Sequence, residues 1–145
     1  MRRINYNGEV KIDLGCGPDK KEGYIGVDYV DHGQAIVWDV TKGIPLPDDC
    51  LDEVYSSHFI EHIEDNDLGI VRDEILRICK DGALLDFKCP HSDCTEAYWL
   101  CHKSLWDERK VKAVFSNGYE RDQSFEILDI KIEGIEIQFK IKIKK

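Results

Sequence analysis

The sequence predicts an α/β domain whose mostly parallel β-sheet ends in an antiparallel hairpin. Three observations support this prediction. Five short apolar segments each end in a polar loop or a helix, an amphipathic helix precedes the fifth of them, and strict apolar–polar alternation marks the end of the chain. With 145 residues, 42% of them hydrophobic, the chain can form one modest core, so we expect residues 1–145 to be a single domain.

The charge and cysteine content narrow the classes of partner. A formal net charge of -9 argues against a polyanionic partner, because nucleic-acid binding needs a basic surface, whereas a cationic ligand suits an acidic protein. The sequence has no apolar run of the length of a membrane helix and no apolar signal segment near its start. We therefore expect a cytoplasmic protein with reduced cysteines and neither a nucleic-acid nor a membrane partner.

The strands come from short apolar runs bounded by turn residues. The first five are predicted at residues 10–14, 24–27, 35–38, 53–56 and 83–87. The last two are predicted at residues 125–132 and 135–143, joined by a Glu133–Gly134 turn. Isoleucine and phenylalanine alternate with polar residues in the final strand, which therefore has one buried and one solvated face.

Two helices are predicted from apolar residues at helical spacing. The first covers residues 68–79, with Asn66 or Asp67 as its N-cap and Gly82 just beyond its C-terminal end. The second covers residues 93–105, because a capping-box spacing opens that segment.

Polar residues and glycines gather where the predicted strands end, which is where open α/β sheets bind ligands. The glycines of residues 13–17 allow a sharp turn and let a ligand approach the backbone. Asp28 and Asp39 end the next two strands. A carboxylate at the first position can accept hydrogen bonds from two ribose hydroxyls, and one at the second can accept from an adenine amino group. Three such strand ends in register predict a binding site more strongly than any one alone.

Four segments resemble, in order, the motifs of class I S-adenosylmethionine-dependent methyltransferases. They are KIDLGCGP at 11–18, GYIGVD at 23–28, IPLPDDCLDEVYSSHFIEHI at 44–63 and RICKDG at 77–82. The resemblance is closest to the type 11 branch, including short members with an abbreviated first crossover. It implies a Rossmann-like sheet and S-adenosylmethionine as the cofactor.

The resemblance also implies a role for each matching position. The methionine part of the cofactor would be held by Asp13, Gly15, Cys16 and Gly17, the ribose by Asp28, and the adenine by Asp39 and the backbone of Val40. Ser56, Ser57 and His58 would lie beneath the sulfonium and near the methyl acceptor.

The sequence departs from the family in its first connections. Family members usually have helices after the first three strands, but residues 17–23, 31–34 and 41–49 leave room for no more than a turn. We expect these crossover helices to be missing, one apolar face of the sheet to be thinly covered, and a homodimer or another protein to dock there. The loss also disfavours NAD, whose pyrophosphate normally rests on the helix after the glycine loop.

His58 and His91 follow predicted strands and are the candidate catalytic residues, whereas His62 and His102 are expected on helix surfaces. A histidine is a suitable general base when an acceptor hydroxyl or amine must lose a proton. The preferred function is methyl transfer to an O or N atom of a small-molecule or glycan-type acceptor, bound by residues 91–120. The alternative is a non-catalytic cofactor-binding or protein-interaction module with the same fold.

A group of thiols and imidazoles raises the question of a metal. Cys89, His91, Cys94, Cys101 and His102 offer zinc ligands, but Cys-x-His-x-x-Cys is not a common zinc spacing. Buried thiols are the preferred interpretation, and no metal is assigned. A zinc-stabilised structural domain remains a third alternative.

Overall fold

The computed structural model describes residues 4–115 and 123–145, which form a seven-stranded sheet in the order β3-β2-β1-β4-β5-β7-β6. The strands are β1 Lys11–Leu14, β2 Ile25–Asp28, β3 Ile36–Val37, β4 Leu51–Ser57, β5 Cys79–Pro90, β6 Phe125–Glu133 and β7 Glu136–Ile143. β1 to β5 pair in parallel, and β7 pairs antiparallel with both β5 and β6. The predicted fold class, a mostly parallel α/β sheet that ends in an antiparallel hairpin, is confirmed.

The core lies on one face of the sheet. Ile12, Val54, Leu85 and Ile141 are register partners across β1, β4, β5 and β7, and all four are buried. The helix α1, Asp65–Ile78, adds the buried stripe Leu68, Val71, Ile75 and Ile78 to the same core, with the three- and four-residue spacing of a helix face.

A second helix, α2, completes this covered face. It spans Glu108–Phe115, and its Phe115 ring lies 6.2 Å from Phe87 and 5.7 Å from Phe139, measured between ring centroids. Trp106, just before α2, stacks on Phe139 at 5.8 Å. The aromatic cluster therefore fixes the segment after β5 against the hairpin β6–β7.

The opposite face of the sheet is polar, so the expectation of an exposed apolar face is wrong. Alternate residues of the central strands project there, and Leu84 is the one aliphatic side chain among Lys11, Asp13, Glu53, Tyr55, Leu84, Asp86, Lys88, Lys140 and Lys142. Tyr24 donates to Glu53 at 2.5 Å, and the Lys21 ammonium lies 4.0 Å from the Tyr55 ring centroid. Charged and aromatic side chains can face water without a covering layer, so a homodimer through this face stays a prediction without apolar support.

The first connection closes without a helix, as expected. After β1 the N–H groups of Gly15 and Cys16 both donate to the carbonyl oxygen of Val27, at 2.7 and 3.1 Å. A Cβ on Gly26 would lie 2.7 Å from the Cβ of Gln34 and 2.9 Å from the Cys16 sulfur, so the loops on both sides of β2 pack onto bare backbone. Direct hydrogen bonds and close approach replace the crossover helix here.

The prediction of a helix over residues 93–105 is wrong. Only a short 3-10 helix, Thr95–Tyr98, forms there, and the true helix begins at Glu108. The N–H groups of Lys103 and Ser104 donate to the Glu61 carbonyl oxygen at 2.6 and 3.0 Å, so tertiary bonds use donors that a helix would need.

The ends of α1 also differ from the prediction. Glu64 is its N-cap, without a side-chain capping bond, so Asn66 and Asp67 lie inside the first turn. The helix ends at Ile78 and β5 begins at the next residue. Gly82, with φ of +82°, instead lies within β5, between the register pairs Leu51–Cys79 and Glu53–Leu84.

None of the helices within the described ranges has the length and apolar character needed to cross a membrane.

The connection from β3 to β4 is fixed to α1 by one arginine. The Arg77 guanidinium donates to the carbonyl oxygens of Ile44 and Leu46 and to the Asp48 carboxylate, each at 2.8 Å. It also contacts Glu74 at 2.8 Å, and Glu74 accepts from the Ile44 N–H at 2.7 Å. These polar contacts of Arg77 therefore take the place of a crossover helix in fixing the connection from β3 to β4.

We expect Arg77→Lys to lower the free energy of unfolding by about 1–3 kcal/mol, because an ammonium cannot reproduce the planar set of donors. Urea unfolding followed by circular dichroism measures the change. Arg109→Lys is the matched control, since the Arg109 side chain is 96% exposed and should leave stability unchanged. Equal stability of both variants would contradict the role given to Arg77.

Candidate functional site

A cleft of about 660 Å³ opens at the carboxyl ends of β1, β2 and β4. Its volume falls within the range of small-molecule sites, roughly 300–1,000 Å³. The predicted site residues among its lining are Gly15, Gly17, Asp28, Asp39, Val40 and His58. The structure therefore brings together six residues from four separate segments of the sequence.

The glycine loop and Asp28 form one hydrogen-bonded unit. Asp28 accepts from the Gly17 N–H at 2.9 Å through Oδ2 and from the Val30 N–H at 3.0 Å through Oδ1. Gly15 and Gly17 have φ of +71° and +57°, in the left-handed region that favours glycine. Each carboxylate oxygen retains a second lone pair, so Asp28 can hold the loop and still accept from a ligand.

The third strand end places Asp39 at the rim of the cleft and Val40 in its wall. Asp39 is exposed and accepts from the Thr41 hydroxyl at 2.6 Å and from the Thr41 N–H at 3.0 Å. The hydroxyl hydrogen bond lowers the pKa of this carboxyl. Asp39 therefore remains ionised at neutral pH and available as an acceptor.

Asp13, Cys16 and Ser57 lie around a second cavity of about 380 Å³ that shares Gly15 with the cleft. Asp13 is buried and accepts from the Lys21 N–H at 2.9 Å, and its burial raises its pKa. Burial likewise raises the pKa of the Cys16 thiol to about 11. Asp13, Cys16 and Ser57 therefore lie beside the cleft and not in its lining.

Two further predicted residues, Ser56 and His91, line neither the cleft nor the second cavity. Ser56 is buried, and its hydroxyl donates to the Leu14 carbonyl oxygen at 2.9 Å, which ties β4 to β1. His91 is also buried, and its Nδ1 accepts from the Asp93 N–H at 3.4 Å.

His58 occupies the turn that leaves β4. Its φ of +54° is unusual for a residue with a side chain, and such strain is concentrated at functional sites. Its Nε2 donates to the Glu136 carboxylate at 3.1 Å, while its Nδ1 lies 3.9 Å from Oε1 of Glu61. The imidazole therefore lies between the cleft and the carboxylate of Glu61.

That acidic group belongs to a third cavity, of about 290 Å³, which the sequence analysis did not predict. Glu61, His62, Cys101 and His102 are among its lining residues. Glu61 is buried, and neither of its carboxylate oxygens has a hydrogen-bond partner among residues 4–115 and 123–145. Burial raises the pKa of Glu61.

His62 and His102 both lie at this cavity. His62 is an exposed residue of a short helix, as predicted, whereas His102 lies outside any helix, so its prediction as a helix-surface histidine is wrong. His62 ends the 3-10 helix Ile60–His62, and His102 follows the 3-10 helix Thr95–Tyr98 in irregular backbone. Their rings meet edge to face, with centroids 4.8 Å apart.

The Cys and His group at residues 89–102 does not converge as a whole. Cys89 is buried in β5, and burial raises the pKa of its thiol well above the usual range. The Cys94 thiol donates to the carbonyl oxygens of His91 and Ile135. Cys101 and His102 point instead toward His62.

Aromatic residues of the cleft were also missed. Tyr29 and Trp38 line it with 70% and 45% of their surface exposed, and Phe59 packs on Gly15. The position of Tyr29 directly after Asp28, and of Trp38 directly before Asp39, is the signal that could have identified them. Large exposed aromatic side chains beside a cleft are suited to stacking on a flat ring.

Solved structures identify the architecture, although no family model and no curated protein matches this sequence. A Methanosarcina mazei methyltransferase aligns with a TM-score of 0.71 and 13% identity over 96% of this chain and 95% of that one. A Sulfolobus solfataricus protein assigned to the type 11 methyltransferases aligns with a TM-score of 0.67 and 18% identity over 94% and 85%. The chain has the fold of S-adenosylmethionine-dependent methyltransferases.

A third methyltransferase structure was determined with ligands. The Burkholderia thailandensis 1,6-didemethyltoxoflavin-N1-methyltransferase, bound to 1,6-didemethyltoxoflavin and S-adenosylhomocysteine, aligns with a TM-score of 0.72 and 12% identity over 94% of this chain and 71% of that one. The methyltransferase fold thus accounts for the seven-stranded, mostly parallel sheet with its antiparallel hairpin.

Because burial raises the pKa of Asp13, we expect the free energy of unfolding to depend on pH. Between the ordinary pKa and the raised one, the folded protein keeps a proton that the unfolded chain has released, so the free energy of unfolding falls as pH rises. Asp13→Asn has no such titration. The stability of the wild type relative to this variant should therefore fall between about pH 4 and about pH 7.

Urea unfolding of both proteins at the two pH values measures this difference. Asp129→Asn, at an exposed position of β6, controls for the general effect of removing a carboxylate. A relative stability of the wild type that rises with pH would contradict the assignment.

Proposed function

We propose that this protein binds S-adenosylmethionine in the cleft and transfers its methyl group to an O or N atom of a small-molecule or glycan-type acceptor. The observation that carries this proposal is the Asp28 unit, in which one carboxylate holds the glycine loop and faces a cleft of suitable size. The methyltransferase fold supports it, because the cleft lies at the strand ends where α/β sheets bind ligands.

The residues of the cleft fit this cofactor in shape and polarity. Asp28 can accept from the ribose hydroxyls, and Asp39 can accept from the adenine amino group beside the Val40 backbone. Trp38 and Tyr29 offer aromatic surface for the adenine ring. Gly17 has open space where a Cβ would lie, which leaves room for the methionine part, whereas Phe59 fills that space at Gly15. Asp13, Cys16 and Ser57 lie around the adjoining cavity.

The electrostatics of the cleft also favour a cation over a phosphate. The ten residues between β1 and β2 are described throughout and contain no helix, so no helix N-terminus is present there to bind a pyrophosphate. Asp28 and Asp39 instead place negative charge around the cleft. When bound, the cofactor supplies an electrophilic methyl group on a positively charged sulfur.

His58 is the general base we propose, in preference to His91, because it lines the cleft. Its Nε2–H donates to Glu136, and its Nδ1, which lies 3.9 Å from the Glu61 carboxylate, is the nitrogen that would accept a proton from an acceptor hydroxyl or amine. Ser57 lies at the same strand end, whereas Ser56 supports that end through its bond to Leu14.

We propose that the acceptor is bound by residues 91–115, part of the predicted 91–120 segment, whose last five residues lie outside the described ranges. Cys101 and Lys103 of this segment line the cleft. The small-molecule substrate of the Burkholderia methyltransferase supports this acceptor class. The six unpaired thiols are consistent with a reducing compartment, and we propose the cytoplasm.

Calorimetric titration with S-adenosylhomocysteine tests the cofactor site. Asp28→Asn should weaken binding about tenfold or more, because it replaces a charged acceptor of ribose hydrogen bonds with a neutral one. The matched control is Asp31→Asn in the neighbouring turn, which should bind normally. A folded wild-type protein that binds no S-adenosylhomocysteine would refute the cofactor assignment.

Transfer of labelled methyl groups to a panel of hydroxyl and amine compounds tests the activity. His58→Asn should lower the rate about a hundredfold, remove the limb of the pH profile due to the base, and leave S-adenosylhomocysteine affinity unchanged. Asparagine is chosen because it tolerates the left-handed backbone of this position.

His91→Asn is the matched comparison and should leave the pH profile intact. A larger loss in His91→Asn than in His58→Asn would move the role of base to His91. Cofactor binding without transfer to any compound of the panel would favour the alternative, a non-catalytic module with the same fold.

A further inference from the structure

Three side chains with metal-binding atoms converge at the third cavity. One ring nitrogen each of His62 and His102 and the sulfur of Cys101 lie within 4.8 Å of one another. Tetrahedral zinc, with metal–nitrogen distances of about 2.0 Å and metal–sulfur distances of about 2.3 Å, holds its ligand atoms about 3.5 Å apart. Side-chain rotations that move these atoms by about 1 Å would therefore close the site.

The hydrogen bonding of His62 presents a ligand atom to this cavity. Its Nδ1–H donates to the carbonyl oxygen of Cys101 at 3.0 Å, which leaves a lone pair on Nε2. Metal-binding histidines are commonly oriented in this way, by a hydrogen bond from the ring nitrogen that does not bind the metal. The same bond holds residue 101 beside the ring, so His62 and Cys101 are positioned together.

Glu61 is the second, independent observation. Its side chain is 2% exposed, and both carboxylate oxygens lack hydrogen-bond partners within the described ranges. Oε1 lies 3.7 Å from Nε2 of His62, so two atoms that can bind a metal ion face each other. A cation between these two atoms would pair with the buried carboxylate, which has no hydrogen bond to offset its burial.

His102 adds a further unpaired group at the same place. Its Nδ1 is buried and has no hydrogen-bond partner in residues 4–115 and 123–145. The edge-to-face contact of the His62 and His102 rings explains their proximity, but it satisfies neither this nitrogen nor the carboxylate of Glu61.

We propose that His62, Cys101 and His102, together with the carboxylate of Glu61, bind a zinc-class divalent cation at the wall of the cleft. The thiolate and two imidazoles favour zinc over magnesium or calcium, which prefer oxygen ligands. One thiolate and one carboxylate balance the charge of a divalent ion. His62 and Cys101 line both the third cavity and the cleft. The four proposed ligands are not the residues proposed to hold the cofactor, so the metal site does not depend on methyl transfer and would be present in a non-catalytic module as well.

The test uses the full chain, stripped with a chelator and titrated with zinc chloride by calorimetry and with cobalt chloride by absorption spectroscopy. We expect one equivalent of zinc per chain and a sulfur-to-cobalt charge-transfer band. Cys101→Ser should abolish that band and weaken zinc binding about tenfold or more, and His102→Ala and Glu61→Gln should also weaken it.

Cys94→Ser is the matched control, since the Cys94 thiol donates to backbone carbonyls outside the site. It should retain the charge-transfer band and full zinc affinity. Cys101 is exposed, so Cys101→Ser should remain folded, which circular dichroism verifies. The proposal is overturned if the folded wild type takes up no zinc, or if Cys101→Ser or Glu61→Gln binds it with wild-type affinity.

Discussion

The helices of this protein pack on one face of its sheet, and this constraint decides where the rest of the described chain lies. The buried residues of β1, β4, β5 and β7 face α1 and α2, while the other face carries charged and aromatic side chains. The connections between the first strands must therefore stay close to the strand ends. They do so through polar contacts, such as the bonds of Gly15 and Cys16 to Val27 and of Arg77 to the β3–β4 connection. Hydrogen bonds with fixed partners replace a layer of apolar packing.

The same constraint shapes the cleft. Where loops rather than helices surround a site, the side chains that hold the loops are also the ones that meet a ligand. Asp28 shows this most directly, because it anchors Gly17 and Val30 and also lines the cleft. Loops held in this way are fixed before a ligand arrives, which reduces the entropy that binding must overcome. A short chain can thus build a defined binding site without the second helical layer.

The strands and the strand-end carboxylates could be predicted because their signals are local. Apolar runs followed by glycine or aspartate identify β1, β2 and β4, and the alternation of residues 135–143 identifies β7. The polar nature of the uncovered face was missed, although Lys11, Asp13, Glu53 and Tyr55 alternate with apolar residues in the sequence. The helix over residues 93–105 was predicted wrongly because its backbone donors bond to Glu61, some forty residues away, and no local pattern records such a bond. The cluster of Glu61, His62, Cys101 and His102 was not predicted for the same reason, since it joins two segments that are distant in the sequence.

The turn that leaves β4 connects the glycine loop to that cluster. A Cβ on Gly15 would lie only 2.1 Å from ring atoms of Phe59, so this turn packs on backbone that only a glycine leaves bare. The His58 N–H donates to the Lys88 carbonyl oxygen at 2.8 Å, which fixes the turn to β5. His58 then contacts Glu61, two residues after Phe59, and Glu61 receives the 101–104 segment through its backbone carbonyl. A cation bound by Glu61, His62, Cys101 and His102 would thus hold the 101–104 segment against the strand end that carries His58, the proposed general base. Such a cation would stabilise the part of the cleft wall that His62 and Cys101 form, and so join the two distant segments that build it.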